Sequence, residues 1–171
     1  MRVVKADDYQ TWFIEENGFG ILIDPWLDKK LNPESSVLLQ RERRENSSLS
    51  QEELDKVEVV IITAPFIDHL HMPSIKKLNN KVKIITTEKV KKILIKNRIN
   101  NPIACINHHV IDVGPFKMST FPAGFPYSWS AFCFFLENSE GKTIFHEGHK
   151  ANFNTLKKLK KKCDVVLITL D

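Results

Sequence analysis

The stretch VEVVIITAPFIDHLH, residues 57–71, contains the features that decide the fold. Its first seven residues form a nearly continuous apolar run, which is typical of a central strand buried on both faces. Asp68, His69 and His71 follow directly, and α/β folds commonly place ligand sites in loops just beyond strand ends. The stretch therefore predicts a layered α/β fold with a candidate site at the end of this strand.

The segment before this strand predicts an antiparallel meander. Three runs rich in β-branched and aromatic residues lie there, at residues 2–6, 10–15 and 19–23. Asn17-Gly18, between the second and third runs, is a strong hairpin signal. A polar excursion follows over residues 28–53, with a short helix expected near residues 37–43. Long excursions border functional sites or are simply mobile, and both interpretations stay open.

The segment after this strand alternates helices with strands. The expected helices cover residues 73–80, 88–97 and 154–162, and the expected strands cover residues 82–86, 115–121, 131–137, 142–146 and 165–170. Pro73 suits the first position of its helix, and Thr87 can cap the next one. This mixture predicts an α/β (α+β layered) fold in one domain that spans residues 1–171.

The composition is that of a mildly basic globular chain. Of its 171 residues 42% are hydrophobic, which is enough for a core, and the net charge of +4 does not indicate a nucleic-acid binder. Three cysteines without a CxxC pair predict a reducing compartment. Residues 1–20 lack the apolar run of a signal peptide, and no stretch has the roughly 20 apolar residues that span a bilayer. We therefore expect a cytoplasmic protein without a membrane span.

A second cluster of histidines and acids follows another strand. It is His146-Glu147-Gly148-His149, directly after the expected strand 142–146. Imidazole and carboxylate groups together suit zinc, iron or manganese, so two such clusters at strand ends predict a metal site if they converge. The alternative is that these are solvated loop histidines, which is how we interpret His108-His109.

The order of landmarks along the chain resembles that of the metallo-β-lactamase superfamily. The landmarks are IDPWL (23–27), VVIIT (59–63), Asp68-His69, FPAG (121–124), TIFHEGH (143–149) and DVVLI (164–168). The resemblance covers nearly the whole chain and implies an αββα sandwich. The Asp-His-x-His pattern also resembles a divergent branch found in cyanobacteria and plants, whose members are longer.

The resemblance implies that the first of the family's two metal sites has lost its ligands. The family pattern after the strand is His-x-His-x-Asp-His, and here Ala64 and Phe66 replace the first two histidines. A third family histidine follows the Pro-Ala segment, where this chain has Gly124 and Phe125. The last family histidine lies beyond the final strand, so we expect a C-terminus shortened at Asp171.

The second family site is better preserved. Asp68 and His69 match two of its ligands, and His149 takes the position of the family's bridging aspartate. These three residues predict a site for one divalent metal, zinc, iron or manganese, with open positions for water or substrate. Glu147 and His71 are the candidates for proton transfer, and His146 is a further candidate ligand or supporting residue. The resulting function is a metal-dependent hydrolase of an unknown small molecule.

A second interpretation is a catalytically inactive relative that is kept as a binding or scaffold protein without a metal. In that case Phe66 and Phe125 would fill the old cavity. The exposed final strand would also suit pairing with a second subunit in a homodimer.

Several neighbouring residues have two open interpretations. Asp24 is either a hydrogen-bond partner of the site, as the resemblance implies, or a turn residue before proline. Trp26 is expected to be a core anchor, whereas Phe125, Tyr127 and Trp129 either line a pocket or anchor the core or loops. The lysines of helix 154–162 favour a solvated face, since no aromatic residues interleave with them.

Overall fold

A computed structural model describes residues 1–7, 9–31, 41–42, 47–106 and 109–168. The strands in these ranges are β1 (Arg2–Lys5), β2 (Trp12–Glu16), β3 (Phe19–Ile23), β4 (Lys30–Leu31), β5 (Arg41–Glu42), β6 (Val57–Ile61), β7 (Lys83–Thr86), β8 (Ile103–Cys105), β9 (Val110–Val113), β10 (Phe116–Pro122), β11 (Phe132–Asn138), β12 (Thr143–His146) and β13 (Val165–Leu167). The helices are α1 (Gln51–Asp55), α2 (Met72–Lys77), α3 (Glu88–Lys96) and α4 (Phe153–Leu159).

The strands form two main sheets. The first has the order β1-β2-β3-β6-β7-β8, in which the meander β1–β3 is antiparallel and β3, β6, β7 and β8 run parallel. The hairpin at Asn17 and Gly18 has positive φ at both residues, 52° and 81°, as the sequence predicts. The second sheet has the order β13-β12-β11-β10-β9 and is antiparallel except for β12 and β13.

The two sheets pack face to face. Their shared core takes Ile21 and Ile61 from the first sheet and Met118, Phe134 and Leu136 from the second. Because side chains alternate across a strand, the residues next to these core residues in each strand point to the outer face of their sheet. Both faces of β11 are therefore buried, and so are both faces of β6 except at the exposed Glu58, which explains why these two strands are almost continuously apolar in sequence.

Helices cover the two outer faces. On the first sheet, Ile75 of α2 and Leu94 of α3 pack against Leu22 and Val60. On the second sheet, Leu156 of α4 packs against a cluster that includes Phe135. The described residues thus form the expected αββα sandwich, with the carboxyl ends of β3 and β6 at one edge.

Most expected elements are present within a few residues of their predicted bounds, but four strands, β4, β5, β8 and β9, and the helix α1 were not predicted. β8 and β9 lie between expected elements, in a segment interrupted by asparagine, proline and histidine, and neither shows a clear apolar alternation. In the excursion, residues 41–42 form β5 and pair with β4, and α1 begins at Gln51. The expected helix at 37–43 is therefore wrong at residues 41–42, and its other positions lie outside the described residues.

Within the described ranges, no helix is both long enough and apolar enough to cross a membrane.

The three cysteines are unpaired thiols.

Candidate metal centre

Asp24 joins the ends of β3 and β6. Its φ of 44° lies in the left-handed region, which aspartate adopts more readily than most residues. Its backbone N–H donates to the Ile61 carbonyl at 2.9 Å, and its side chain is fully buried. The carboxylate accepts hydrogen bonds from the Thr63 backbone N–H at 2.7 Å and from the Thr63 hydroxyl at 2.6 Å. The buried charge is therefore held by strong hydrogen bonds, as burial requires.

The same carboxylate orients His69. His69 Nδ1 lies 2.8 Å from Asp24 Oδ2, and the ring is 1% exposed. Because an ionised carboxylate only accepts hydrogen bonds, Nδ1 carries the proton and the lone pair of neutral His69 is on Nε2. Burial is the largest influence on the pKa of His69 and lowers it, but Asp24, Asp68 and Glu147 together outweigh burial and raise this pKa above its ordinary value.

A fixed turn after β12 carries His149. Gly148 has a φ of 64°, and a Cβ added there would lie 2.0 Å from the Phe132 carbonyl oxygen. The Gly148 N–H donates to His146 Nδ1 at 2.9 Å, and the buried Cys133 thiol donates to the Glu147 carbonyl at 2.9 Å. This turn places His149 Nδ1 2.9 Å from His69 Nε2.

Asp68 completes the cluster. Its Oδ2 lies 3.9 Å from His69 Nε2 and accepts a hydrogen bond from the Tyr9 hydroxyl at 3.3 Å. One ligand atom from each of Asp68, His69 and His149 lies within 4.8 Å of the others. The structure therefore brings together the three residues that were predicted as ligands. The two histidines among them are 80 positions apart in the sequence.

The distances suit one metal ion after a small movement. Two nitrogens at about 2.0–2.1 Å from a tetrahedral ion are about 3.4 Å apart, so the two imidazoles need to separate by about half an ångström. The Asp68–His69 distance of 3.9 Å needs to shrink by a similar amount. Two imidazoles and one carboxylate are ligands that zinc, iron and manganese all accept.

Aromatic rings cover the side of the cluster where the first family site is expected. The rings of Phe66 and Tyr127 lie 4.4 Å and 4.3 Å from the His149 ring, and Ala64 is fully buried behind them. Phe66 thus occupies the region as expected, whereas Phe125 is 85% exposed and does not fill it. The prediction for Phe125 is wrong because neighbours in a loop, unlike those in a strand, follow no fixed alternation of direction.

The two candidates for proton transfer occupy different surroundings. His71 is 2% exposed, precedes α2, and has its Nδ1 2.7 Å from the Ser74 hydroxyl. Its ring lies beside Trp26, which is fully buried as expected. Glu147 is half-buried in the His149 turn, and its charge contributes to the raised pKa of His69.

Sequence reasoning missed two supporting residues. Thr63 bridges Asp24 and His69, with its hydroxyl 3.0 Å from His69 Nδ1, and Cys133 ties down the turn of His149. The only signal for Thr63 was a polar residue at the end of an apolar strand. Cys133 gave no signal, because a lone cysteine in an apolar run reads as a core residue.

Comparisons with known proteins agree with this fold. The model of the family described as "Beta-lactamase superfamily domain" matches residues 6–171. No curated protein matches the chain by sequence.

Solved structures share the fold at low sequence identity. A possible metal-dependent hydrolase from Veillonella parvula has a TM-score of 0.73 and 17% identity, over 96% of this chain and 71% of that one. An isothiocyanate hydrolase from Delia radicum gut bacteria has a TM-score of 0.75 and 18% identity, over 96% and 70%. A metallo-β-lactamase fold protein from Bacillus subtilis has a TM-score of 0.67 and 12% identity, over 92% and 62%.

We predict that His146 makes stability fall in acid. Burial lowers the pKa of His146 to about 4, from about 6.5 in an unfolded chain. Between these values the unfolded chain binds the proton more readily, so stability present above about pH 6.5 is lost as the pH falls toward 4. This difference corresponds to about 3 kcal/mol, and a His146→Gln variant should lack that part of the loss.

Urea unfolding at pH 7.5 and pH 4.5, followed by circular dichroism, measures this loss. Replacement of the exposed His109 by glutamine is the matched control and should leave the acid loss unchanged. An equal loss in the parent and in His146→Gln would show that His146 is not the group responsible.

Proposed function

The chain belongs to the β-lactamase superfamily, and on that premise we propose that it is a metal-dependent hydrolase with one divalent ion, held by Asp68, His69 and His149. One observation carries this proposal. Asp24 fixes His69 so that its free lone pair is on Nε2, the atom that faces His149 and Asp68. A carboxylate that orients a ligating histidine in this way is a recurrent feature of metal sites.

An ion in this site would supply a Lewis acid and a nucleophile at neutral pH. Residues of the chain itself would position the ligands and transfer protons. Asp24 and Thr63 hold the His69 ring, while the turn at Gly148 presents His149. We assign proton transfer to Glu147, since its charge already acts on the cluster, and we assign His71 to support of α2, because Ser74 holds its Nδ1.

The named activities of solved structures with this fold indicate the substrate class only in broad terms. Solved neighbours are named as a possible metal-dependent hydrolase and as an isothiocyanate hydrolase. We propose that this chain hydrolyses a small ester, amide or phosphodiester. Free thiols at Cys105, Cys133 and Cys163 support a cytoplasmic location for this activity.

A metal-free binding protein is the second candidate. The observation that favours it is the direct contact between His69 Nε2 and His149 Nδ1 at 2.9 Å, which satisfies both rings without an ion. Phe66, packed against His149, makes the neighbouring region apolar. Metal content decides between the two candidates.

We predict about one equivalent of zinc, iron or manganese per chain in the purified protein, measured by elemental mass spectrometry. His69→Ala and His149→Ala should each lose most of it, because each removes one of three ligands. His109→Ala is the control and should keep the metal. If all the variants and the parent fold and none contains metal, the protein is not a metal-dependent hydrolase.

A second prediction concerns Asp24. Asp24→Asn keeps the shape but removes the charge that holds His69, and we expect metal affinity to fall about 10- to 100-fold in a chelator competition. Thr63→Val removes only the hydroxyl contact and should have a smaller effect. Asp112→Asn, on the exposed side of β9, should have none. Equal affinity in the Asp24 and Asp112 variants would contradict the proposed role of Asp24.

We further propose that the chain forms a homodimer through β13. In the described residues this strand is the edge of the second sheet, and Val166 is 50% exposed there. Unpaired strand edges pair readily with other chains. Val166→Lys should convert a dimer to a monomer in light scattering, and a parent that is already monomeric at micromolar concentration would contradict the proposal.

A further inference from the structure

We propose that residues 9–11 form a clamp, in which Tyr9 and Gln10 hold the carboxylate of Asp68 in one orientation beside His69 and His149. Tyr9 and Gln10 are thereby positioning residues, which act on a metal ion only through Asp68. The inference rests on the proposed function for its consequence, which is tighter binding of the ion. The orientation of Asp68 itself is a property of the metal-free chain.

Two neighbouring side chains of the clamp reach Asp68 at two different points. The Gln10 amide donates from Nε2 to the backbone carbonyl of Asp68 at 2.5 Å, and the Tyr9 hydroxyl donates to Asp68 Oδ2 at 3.3 Å. Oδ2 is also the oxygen that lies 3.9 Å from His69 Nε2. One contact therefore holds the backbone of Asp68 and the other holds the tip of its side chain. A side chain held at both ends keeps one rotamer, whereas an unrestrained carboxylate exchanges among several.

The loop that carries Asp68 does not orient the carboxylate by itself. Asp68 lies between the end of β6 at Ile61 and the start of α2 at Met72. In this loop the Phe66 carbonyl accepts from the N–H groups of the two residues after Asp68, at 3.0 Å and 2.7 Å. These bonds fix the backbone around Asp68 but do not act on its side chain. The clamp supplies that restraint from another segment of the chain.

The clamp is fixed by a residue outside it. Asp7 Oδ1 accepts from the N–H groups of Tyr9 and Thr11 at 3.0 Å and 2.9 Å, and the Ala6 N–H donates to the Thr11 carbonyl at 2.8 Å. An aspartate that accepts from the N–H two residues later is a common turn. Because Asp7 holds this turn, the side chains of Tyr9 and Gln10 are not required to form it. The Gln10 side chain is nevertheless buried, at 4% exposure, and its amide bonds Asp68.

The same segment is tied to the residue that orients His69. The fully buried Thr11 hydroxyl donates to the Asp24 carbonyl at 3.1 Å and accepts from the Trp26 N–H at 3.0 Å. Asp24 in turn contacts His69 at 2.8 Å. The clamp thus fixes Asp68 relative to Asp24, and so relative to the second ligand. Ligands held at a constant separation lose little freedom when they bind an ion.

Tyr9→Phe tests the clamp in the metal-free protein. This change removes one oxygen and keeps the ring, which packs edge-on against Trp26 with a centroid distance of 6.3 Å. We expect the variant to unfold at the same urea concentration as the parent. The couplings between the Hα and Hβ protons of Asp68, measured by NMR, should correspond to a single χ1 rotamer in the parent and to an average of several rotamers in Tyr9→Phe. A purely structural role of Tyr9 would leave these couplings unchanged.

Zinc affinity, measured by chelator competition, tests the consequence for the metal. We expect Tyr9→Phe to bind zinc about tenfold more weakly, which is the low end of the usual effect, because a bond of 3.3 Å is long for a hydroxyl donor. Gln10→Met removes the donor to the Asp68 carbonyl and should weaken binding at least as much. Gln51→Met is the matched control, since it removes an exposed amide that bonds Asp55 on α1, and it should change neither zinc affinity nor the Asp68 couplings.

The couplings separate failure of the clamp from failure of the proposed function. If the parent binds no zinc but has the single Asp68 rotamer that Tyr9→Phe loses, the clamp stands and the hydrolase proposal fails. Averaged couplings in the parent, or an unchanged rotamer in Tyr9→Phe, would overturn the clamp whatever the zinc affinity. Equal zinc affinity in the parent and in Tyr9→Phe would also overturn it as a device for metal binding. Tyr9→Phe alone decides these outcomes if Gln10→Met does not fold.

Discussion

The buried carboxylate of Asp24 is the constraint on which the rest of the site depends. A charge that is fully removed from solvent is stable only if its oxygens are hydrogen-bonded, and Asp24 takes these bonds from Thr63 and His69. The hydrogen bonds from Thr63 to Asp24 fix the end of β6 relative to the end of β3. The contact between Asp24 and His69 orients the His69 ring so that Nε2 faces His149. The Thr63 carbonyl accepts in turn from the Phe132 N–H at 3.2 Å, so the second sheet is tied to the same edge.

That link explains how two distant segments of sequence meet. β11 begins at Phe132, and the carbonyl of Phe132 is also the atom against which Gly148 is packed. The turn after β12 is consequently held at a fixed distance from the end of β6. His149 contacts His69 because both segments are anchored to the same strand end, and their positions do not require a bound ion. The proposed donor set is thereby largely preorganised, which would lower the free-energy cost of binding an ion.

The sequence predicted the parts of this arrangement that depend on local patterns. Apolar runs marked β6 and β11, Asn17-Gly18 marked the hairpin, and clusters after two strands marked Asp68 and His149. It did not predict the parts that depend on tertiary contacts. Cys133 acts through a hydrogen bond to a carbonyl 14 residues away, and nothing in its apolar run distinguishes it. The metal-free interpretation expected Phe125 to fill the old cavity, but Phe125 is exposed, since the backbone of an irregular loop sets its direction.

The proposed replacement of a family carboxylate by His149 would have an electrostatic reason. In a site of low dielectric, charges of like sign repel strongly, and Asp24, Asp68 and Glu147 already place three negative charges near His69. One divalent ion would balance two of these charges, so a further carboxylate at position 149 would add to a net negative charge in a half-buried site. With two ions a bridging carboxylate is compensated, but Ala64 and Phe66 provide no ligands for a second ion. A neutral imidazole keeps a nitrogen donor at that position without added charge, so the proposed substitution at position 149 is consistent with the proposed loss of the first site.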